Sequence, residues 1–152
     1  MLIFRICLDN WASELKASGL PARWNSKGKL VIYTAENRSL ACLENLVHRG
    51  GLGDNRLFKI LSIPIPVSIK INEVTQKQLP KDWQKYSNYS LCQKIGDQWI
   101  ENLSSLILKV PSSIVPQEYN FLINPLHKEF ERIKIVSVED FIFDGRLSLS
   151  PD

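Results

Sequence analysis

The chain has 152 residues, 44% of them apolar and 23% charged, with a net charge of +3. That is the size and composition of one globular unit with its own core, and the whole of 1–152 reads as a single domain. No stretch approaches the roughly 20 apolar residues that span a bilayer. The apolar start, 1–8, carries Arg5 in its middle and has no small-residue cleavage site behind it, so the expected location is the cytoplasm with no membrane contact. The positive charge comes without a run of lysines or arginines, which falls short of a nucleic-acid-binding signature. Cys7, Cys42 and Cys92 form no C-x-x-C pair and have no histidine at zinc spacing. They read as small packed hydrophobes, and no metal site is expected.

Residues 1–8 alternate as a strand, with Leu2, Phe4, Ile6 and Leu8 on one face and Ile3, Arg5 and Cys7 on the other. Residues 11–18 suggest a short helix ended by Gly19-Leu20-Pro21, and 23–28 a loop with a turn. A second strand follows over 29–35. Asn37 or Ser39 then caps a helix running to about His48 and stopped by Gly50, Gly51 and Gly53. The β-branched stretch 57–71 is broken by Pro64 and Pro66, which belong at a sheet edge or a bend. A polar loop over 75–88 leads to a helix over 90–102. Strands are expected at 106–110, ending on Pro111-Ser112-Ser113, and at 121–123, 133–138 and 141–143. Many strands with two or three helices, and no alternating βα units, predict an α+β fold.

The helix after the second strand draws attention. Leu40, Leu43 and Val47 recur at helical spacing as an apolar stripe, and Glu44 falls beside them. A carboxylate on the core side must be paired, hydrogen-bonded or neutralised. Arg5, inside the first strand, and Arg23, beside Trp24, are the candidate cations. Glu44 therefore reads either as half of a structural ion pair with one of them or as a site acid. Tyr33 ends the strand that feeds this helix, so it either borders the same cleft, where it can stack on a flat ring, or packs as a core tyrosine. Ser112, just past a strand end, either binds a ribose hydroxyl or caps a turn. His48 closes the helix and suits its C-terminal dipole. His127, after Asn124-Pro125, reads as a turn residue. A serine hydrolase is excluded by the lack of G-x-S-x-G and of a nucleophile beside either histidine.

A set of short segments runs in order from one end of the chain to the other. They are Phe4-Arg5, Ala22-Arg23-Trp24-Asn25, Val31-Ile32-Tyr33-Thr34-Ala35, and Ser39-Leu40-Ala41-Cys42-Leu43-Glu44. Leu79-Pro80 with Trp83 and Gly96-Asp97-Gln98-Trp99 come next, then Val110-Pro111-Ser112, Glu118-Tyr119-Asn120, Asn124-Pro125-Leu126-His127 and Phe143-Asp144-Gly145-Arg146-Leu147. In this order and spacing the chain resembles the RES domain, a family named for its Arg, Glu and Ser. One departure is plain: Pro21-Ala22 stands where the family has Gly-Gly before Arg-Trp-Asn, and neither takes glycine's positive-φ conformations freely.

The resemblance implies a fold similar to ADP-ribosyltransferases, with mixed and antiparallel sheet around a cleft that binds NAD⁺ as substrate. It implies a toxin inhibited by an Xre-type antitoxin, with a homodimer fitting the family pattern. The implied reaction is NAD⁺ hydrolysis or phosphorolysis. Protein mono-ADP-ribosylation and a catalytically inactive NAD-binding module are the alternatives. An RNA-cleaving toxin would need a basic groove with aromatics, which the scattered charge does not supply. On this reading Glu44 stabilises the oxocarbenium-like transition state, and Arg5 and Arg23 hold the pyrophosphate. Tyr33 brackets the nicotinamide, Ser112 positions the ribose or orders Glu44, and Asn25 meets the amide or ribose.

Overall fold

The computed structural model describes residues 1–49 and 57–147. Seven strands and two α-helices follow in the order β1 (Leu2–Leu8), β2 (Ile32–Ala35), α1 (Arg38–Arg49), β3 (Phe58–Pro64), β4 (Ile71–Glu73), α2 (Tyr89–Asn102), β5 (Ile107–Pro111), β6 (Tyr119–Ile123) and β7 (Ser137–Phe141). Short 3₁₀ turns fill several connections. The strands form one mixed sheet in the order β4-β5-β6-β2-β1-β3-β7, antiparallel except for the β4–β5 pair. The expected α+β class with a mixed sheet is what the chain adopts.

Alternation along the strands gives the sheet two apolar faces. On one face lie Ile6, Ala35 and Ile60 under α1, and Leu108, Val110 and Leu122 under α2. The opposite face carries Ile3, Cys7, Ile32, Leu61, Ile63, Ile107, Phe121 and Ile123. Loops cover it, with Ala12, Leu15, Ala17, Ile65, Ile69 and Ile133 packed against it.

The centre of the sheet is where the strands pair least. β1 and β3 are in register from Leu2↔Pro64 to Leu8↔Phe58, whereas β1 and β2 share one register pair, Phe4↔Ala35. Beyond that pair the two strands part, and the opening lies beneath α1.

Several expected elements differ. Residues 11–18 do not form a helix; the regular structure there is a 3₁₀ turn at Asp9–Trp11. The chain there runs as a loop that brings the Lys16 carbonyl to the Arg5 guanidinium. The expected strands at 133–138 and 141–143 become one, β7, with Phe143 beyond its end against Phe58 and Phe141. The stretch 57–71 supplies β3 and the first residue of β4, with Pro64 at the close of β3 and Pro66 in the following bend. The glycine stop after α1 lies outside the described residues. Asn37 does cap α1, its Oδ1 accepting from the Leu40 N–H at 2.7 Å.

Candidate active site

The opening between β1 and β2 is a cavity of about 230 Å³. It takes Phe4, Arg5 and Ile6 from β1, Tyr33 and Thr34 from β2, Glu44, Asn45 and His48 from α1, and Asn120 from β6. Because the strands part here, residues of both sheet faces reach one space.

α1 is built differently from its expected stripe. Leu40 and Ala41 are buried, but Leu43 and Val47 are exposed. The turns after Leu40 and Ala41 present Glu44, Asn45 and His48 to the cavity instead. The helix thus anchors its apolar first half over Ile6, Ala35 and Ile60 and lays a polar second half along the opening.

Glu44 is mostly buried, and its partners are not arginines. Oε1 accepts from the Ser112 hydroxyl at 2.8 Å and from Asn120 Nδ2 at 2.5 Å. Oε2 faces His48 Nε2 at 3.4 Å, one helical turn on. Burial pushes the carboxyl upward in pKa, but the hydrogen bonds from His48, Asn120 and Ser112 together outweigh it and hold the group below its ordinary value. The result is a desolvated carboxylate that stays ionised. Among the described residues, neither Arg5 nor Arg23 pairs with it, so the alternative of a structural Arg–Glu pair is not realised.

Ser112 is fully buried where β5 ends. Besides donating to Glu44, its oxygen accepts from the N–H groups of Ile114 and Val115 at 3.1 Å. The turn fixes the hydroxyl, and the hydroxyl fixes the carboxylate. Ser112 thus caps its turn, as one reading expected, and also reaches Glu44.

Arg5 donates from NH1 to the Lys16 carbonyl at 2.9 Å. The rest of its guanidinium has no protein partner among the described residues. Burial pushes its pKa down, but a guanidinium holds its proton far above neutral pH and stays charged. An incompletely satisfied cation therefore lines the cavity.

Tyr33 lines it too, with its hydroxyl turned into the protein. It donates to Asn25 Oδ1 at 2.7 Å and accepts from the Trp24 N–H at 3.1 Å. Burial raises its pKa, so the phenol is neutral. This leaves Tyr33 an aromatic wall rather than a proton donor to the cavity.

Arg23 and Asn25 do not line the cavity; their side chains hold neighbouring backbone instead. Arg23 donates to the carbonyls of Trp83 and Gln84 and lies over the Tyr89 ring. Asn25 is buried, with Nδ2 shared among the carbonyls of Leu20, Ser26 and Lys29. Arg23 has spent its guanidinium on the carbonyls of Trp83 and Gln84, and Asn25 its amide on Tyr33 and on the loop 20–29. That loop is moored to α2 by Gln93, which donates to the carbonyls of Ala22 and Asn25, and by Asp97, which accepts from Ser26. Their contribution to the site runs through Tyr33.

Asn120 had no assigned role, yet it touches the carboxylate. A signal for it exists in the sequence: in Tyr119–Ile123 it shares a face with Leu122, a polar residue at an inward strand position. No group of three or more metal-ligating side chains occurs among the described residues, and no helix there is long and apolar enough to cross a membrane.

The fold matches that of a solved protein, in the crystal structure of the M. tuberculosis MbcT–MbcA toxin–antitoxin complex, with a TM-score of 0.75 at 14% identity, over 92% of this chain and 83% of that one. Curated relatives are nearer in sequence. A protein of Photorhabdus laumondii named "Toxin Res" is 40% identical over 97% of both chains. One of Yersinia enterocolitica with the same name is 36% identical over 97% of this chain and 99% of the relative. A "Prs ADP-ribosylating toxin" of a Sphingobium species is 36% identical over 90% of this chain and 88% of the relative. The family described as the RES domain matches residues 3–144, and the chain belongs to it.

Proposed function

We propose that the chain cleaves the nicotinamide–ribose bond of NAD⁺, passing the ADP-ribosyl group to water or phosphate. One observation carries the reading. Glu44 is a desolvated carboxylate, kept ionised by neutral donors and His48, on the wall of a cavity that also holds an incompletely paired guanidinium. Breaking that bond builds positive charge on the ribose while nicotinamide leaves neutral, so a fixed anion at the ring is the chief requirement and no general acid is needed.

The roles follow from position. Glu44 stabilises the oxocarbenium-like ribose. Ser112 and Asn120 hold Oε1, which leaves Oε2 to face the substrate. Tyr33 brackets the nicotinamide with its ring. Arg5 clamps the pyrophosphate, a task suited to a fork of N–H donors. A volume of about 230 Å³ suits one flat ring and a pentose, so the adenosine half lies outside the cavity. Arg23 and Asn25 act on the ligand only through the loop that holds Tyr33.

The test is to incubate the purified protein with NAD⁺, with and without phosphate, and to quantify nicotinamide and the ADP-ribosyl product. Release by the wild type and its loss in Glu44→Gln is the expected result. Release undiminished in a folded Glu44→Gln would remove Glu44 from the mechanism.

A second reading, transfer of ADP-ribose to a protein, is favoured by the name of the Sphingobium relative. A search for labelled protein after incubation with labelled NAD⁺ separates the two. The structural likeness to MbcT supports a cognate antitoxin as partner. Its Xre type, a homodimer and a cytoplasmic setting, where NAD⁺ is plentiful, complete the proposal.

A further inference from the structure

Cleavage needs an acceptor as well as an anion, and an uncharged oxygen acceptor must lose a proton as it bonds to carbon. The titratable groups on the cavity wall are Arg5, Tyr33, Glu44 and His48. Arg5 holds its proton. Tyr33 has its hydroxyl committed to Asn25 and Trp24. Glu44 is the anion the transition state requires, and one of its oxygens is already saturated. His48 touches Glu44 Oε2 and stands free of the rest of the wall, and imidazole is the side chain that exchanges protons near neutral pH.

Its placement fits. His48 sits one turn after Glu44 on α1, so the two side chains meet on one helix face. The separation of Nε2 from Oε2, 3.4 Å, is long for a charge-assisted hydrogen bond. No atom fits between the two at that distance, but one oxygen on the cavity side can reach both. The His48 side chain is 57% exposed against 17% for Glu44, so it stands at the mouth with a direct route for a proton to solvent.

We propose that His48 is the catalytic base for an uncharged acceptor hydroxyl, with water as the acceptor. This rests on the NAD⁺-cleaving reading above and deepens it by naming the acceptor class. The acceptor water displaces the His48–Glu44 contact and donates one O–H to Glu44 Oε2 and the other to His48 Nε2, the imidazole then carrying its own proton on Nδ1. The carbon–nitrogen bond breaks with its electron pair leaving on neutral nicotinamide. A lone pair of the acceptor oxygen forms the new bond to ribose C1′. The acceptor's proton passes to Nε2 and then to solvent. The sum is NAD⁺ and water giving ADP-ribose, nicotinamide and one proton.

The experiment measures nicotinamide release from NAD⁺ in phosphate-free buffer across pH 5–9, for the wild type, His48→Gln and His48→Ala, the last with and without added imidazole. Because His48 is exposed, both variants should fold, which circular dichroism checks. The expected result is an acid limb in the wild-type kcat/KM profile that disappears in His48→Gln. A fall of about 10²- to 10⁴-fold at the alkaline plateau should accompany it, with partial recovery of His48→Ala by imidazole. A wild-type rate and an unchanged acid limb in His48→Gln would overturn the base and leave the NAD⁺ reading standing. No nicotinamide from the wild type at any pH would overturn both.

Discussion

The two helices lie on the same face of the sheet, yet they do opposite work. α2 turns Cys92, Trp99 and Ile100 inward into one apolar cluster with Leu108, Val110 and Leu122, and sets Gly96 against the Trp24 backbone. α1 buries only Leu40 and Ala41 in this way, then offers Glu44, Asn45 and His48 to an opening in the sheet. α2 covers an apolar interface, whereas α1 borders the cavity. The loop 20–29 connects them, since it is tied to α2 by Gln93 and Asp97 and holds the Tyr33 hydroxyl by Trp24 and Asn25.

The contrast breaks first at Glu44. Glu44→Gln keeps the shape and an acceptor for Ser112 and Asn120 but removes the charge. Nicotinamide release should fall on the order of 10²–10³-fold, about 2.7–4 kcal/mol on the barrier, with the fold retained. The same residue gives a pH signature. Its folded pKa is depressed below 4.5, so the carboxylate contributes stability above that value and the contribution is lost as pH falls toward the folded pKa. Thermal melts of the wild type should show this loss in acid, and Glu44→Gln should lack it.

On the α2 side the order of effects reverses. A Cβ at Gly96 would stand 1.8 Å from the Trp24 carbonyl oxygen. Backbone must move to admit it, so Gly96→Ala should cost roughly 3 kcal/mol in denaturant unfolding. The same shift should raise KM for NAD⁺ by disturbing the mooring of Tyr33. Unchanged stability would mean the two elements are less tightly joined than described.

Trp99→Phe is a smaller break. The indole N–H donates to the Ser105 carbonyl and hydroxyl at 3.1 and 2.9 Å in a buried setting. Its loss leaves the carbonyl without that donor and should cost roughly 2 kcal/mol, with kcat per folded molecule unchanged. The smallest effect is expected at Val47, which is 59% exposed. Val47→Gln should change stability by no more than about 0.5 kcal/mol. A large loss there would restore the Leu40–Leu43–Val47 stripe as a packed face.

That stripe shows how far periodicity carries. Glu44 was singled out by its helical neighbourhood and does line the cavity, but of the apolar residues used to find it, Leu43 and Val47 face solvent. The helix is amphipathic in an unusual sense, because its inner half is polar where it borders a cavity, and a spacing rule assumes that inside means apolar. Arg5 was legible as a charge interrupting an apolar strand. Its partner was not, because the Lys16 carbonyl depends on a loop that forgoes a helix.

The sequence by itself determined the strand-rich α+β class, the two helices that form, Asn37 as one of two candidate caps, and the order of segments that places the chain in its family. Those features are local or collinear, written in alternation, capping residues and spacing. Tertiary structure decided which polar groups meet. Asn120 and Ser112 lie far along the chain from Glu44, and they reach it because β6 pairs with β2 and β5 with β6. It also decided that Arg23 and Asn25 serve a loop instead of the cavity, since a donor's partner is set by what packs beside it. The carboxylate beside a helix stripe was visible in one dimension. That it is an ionised anion without an arginine required the sheet to part between β1 and β2.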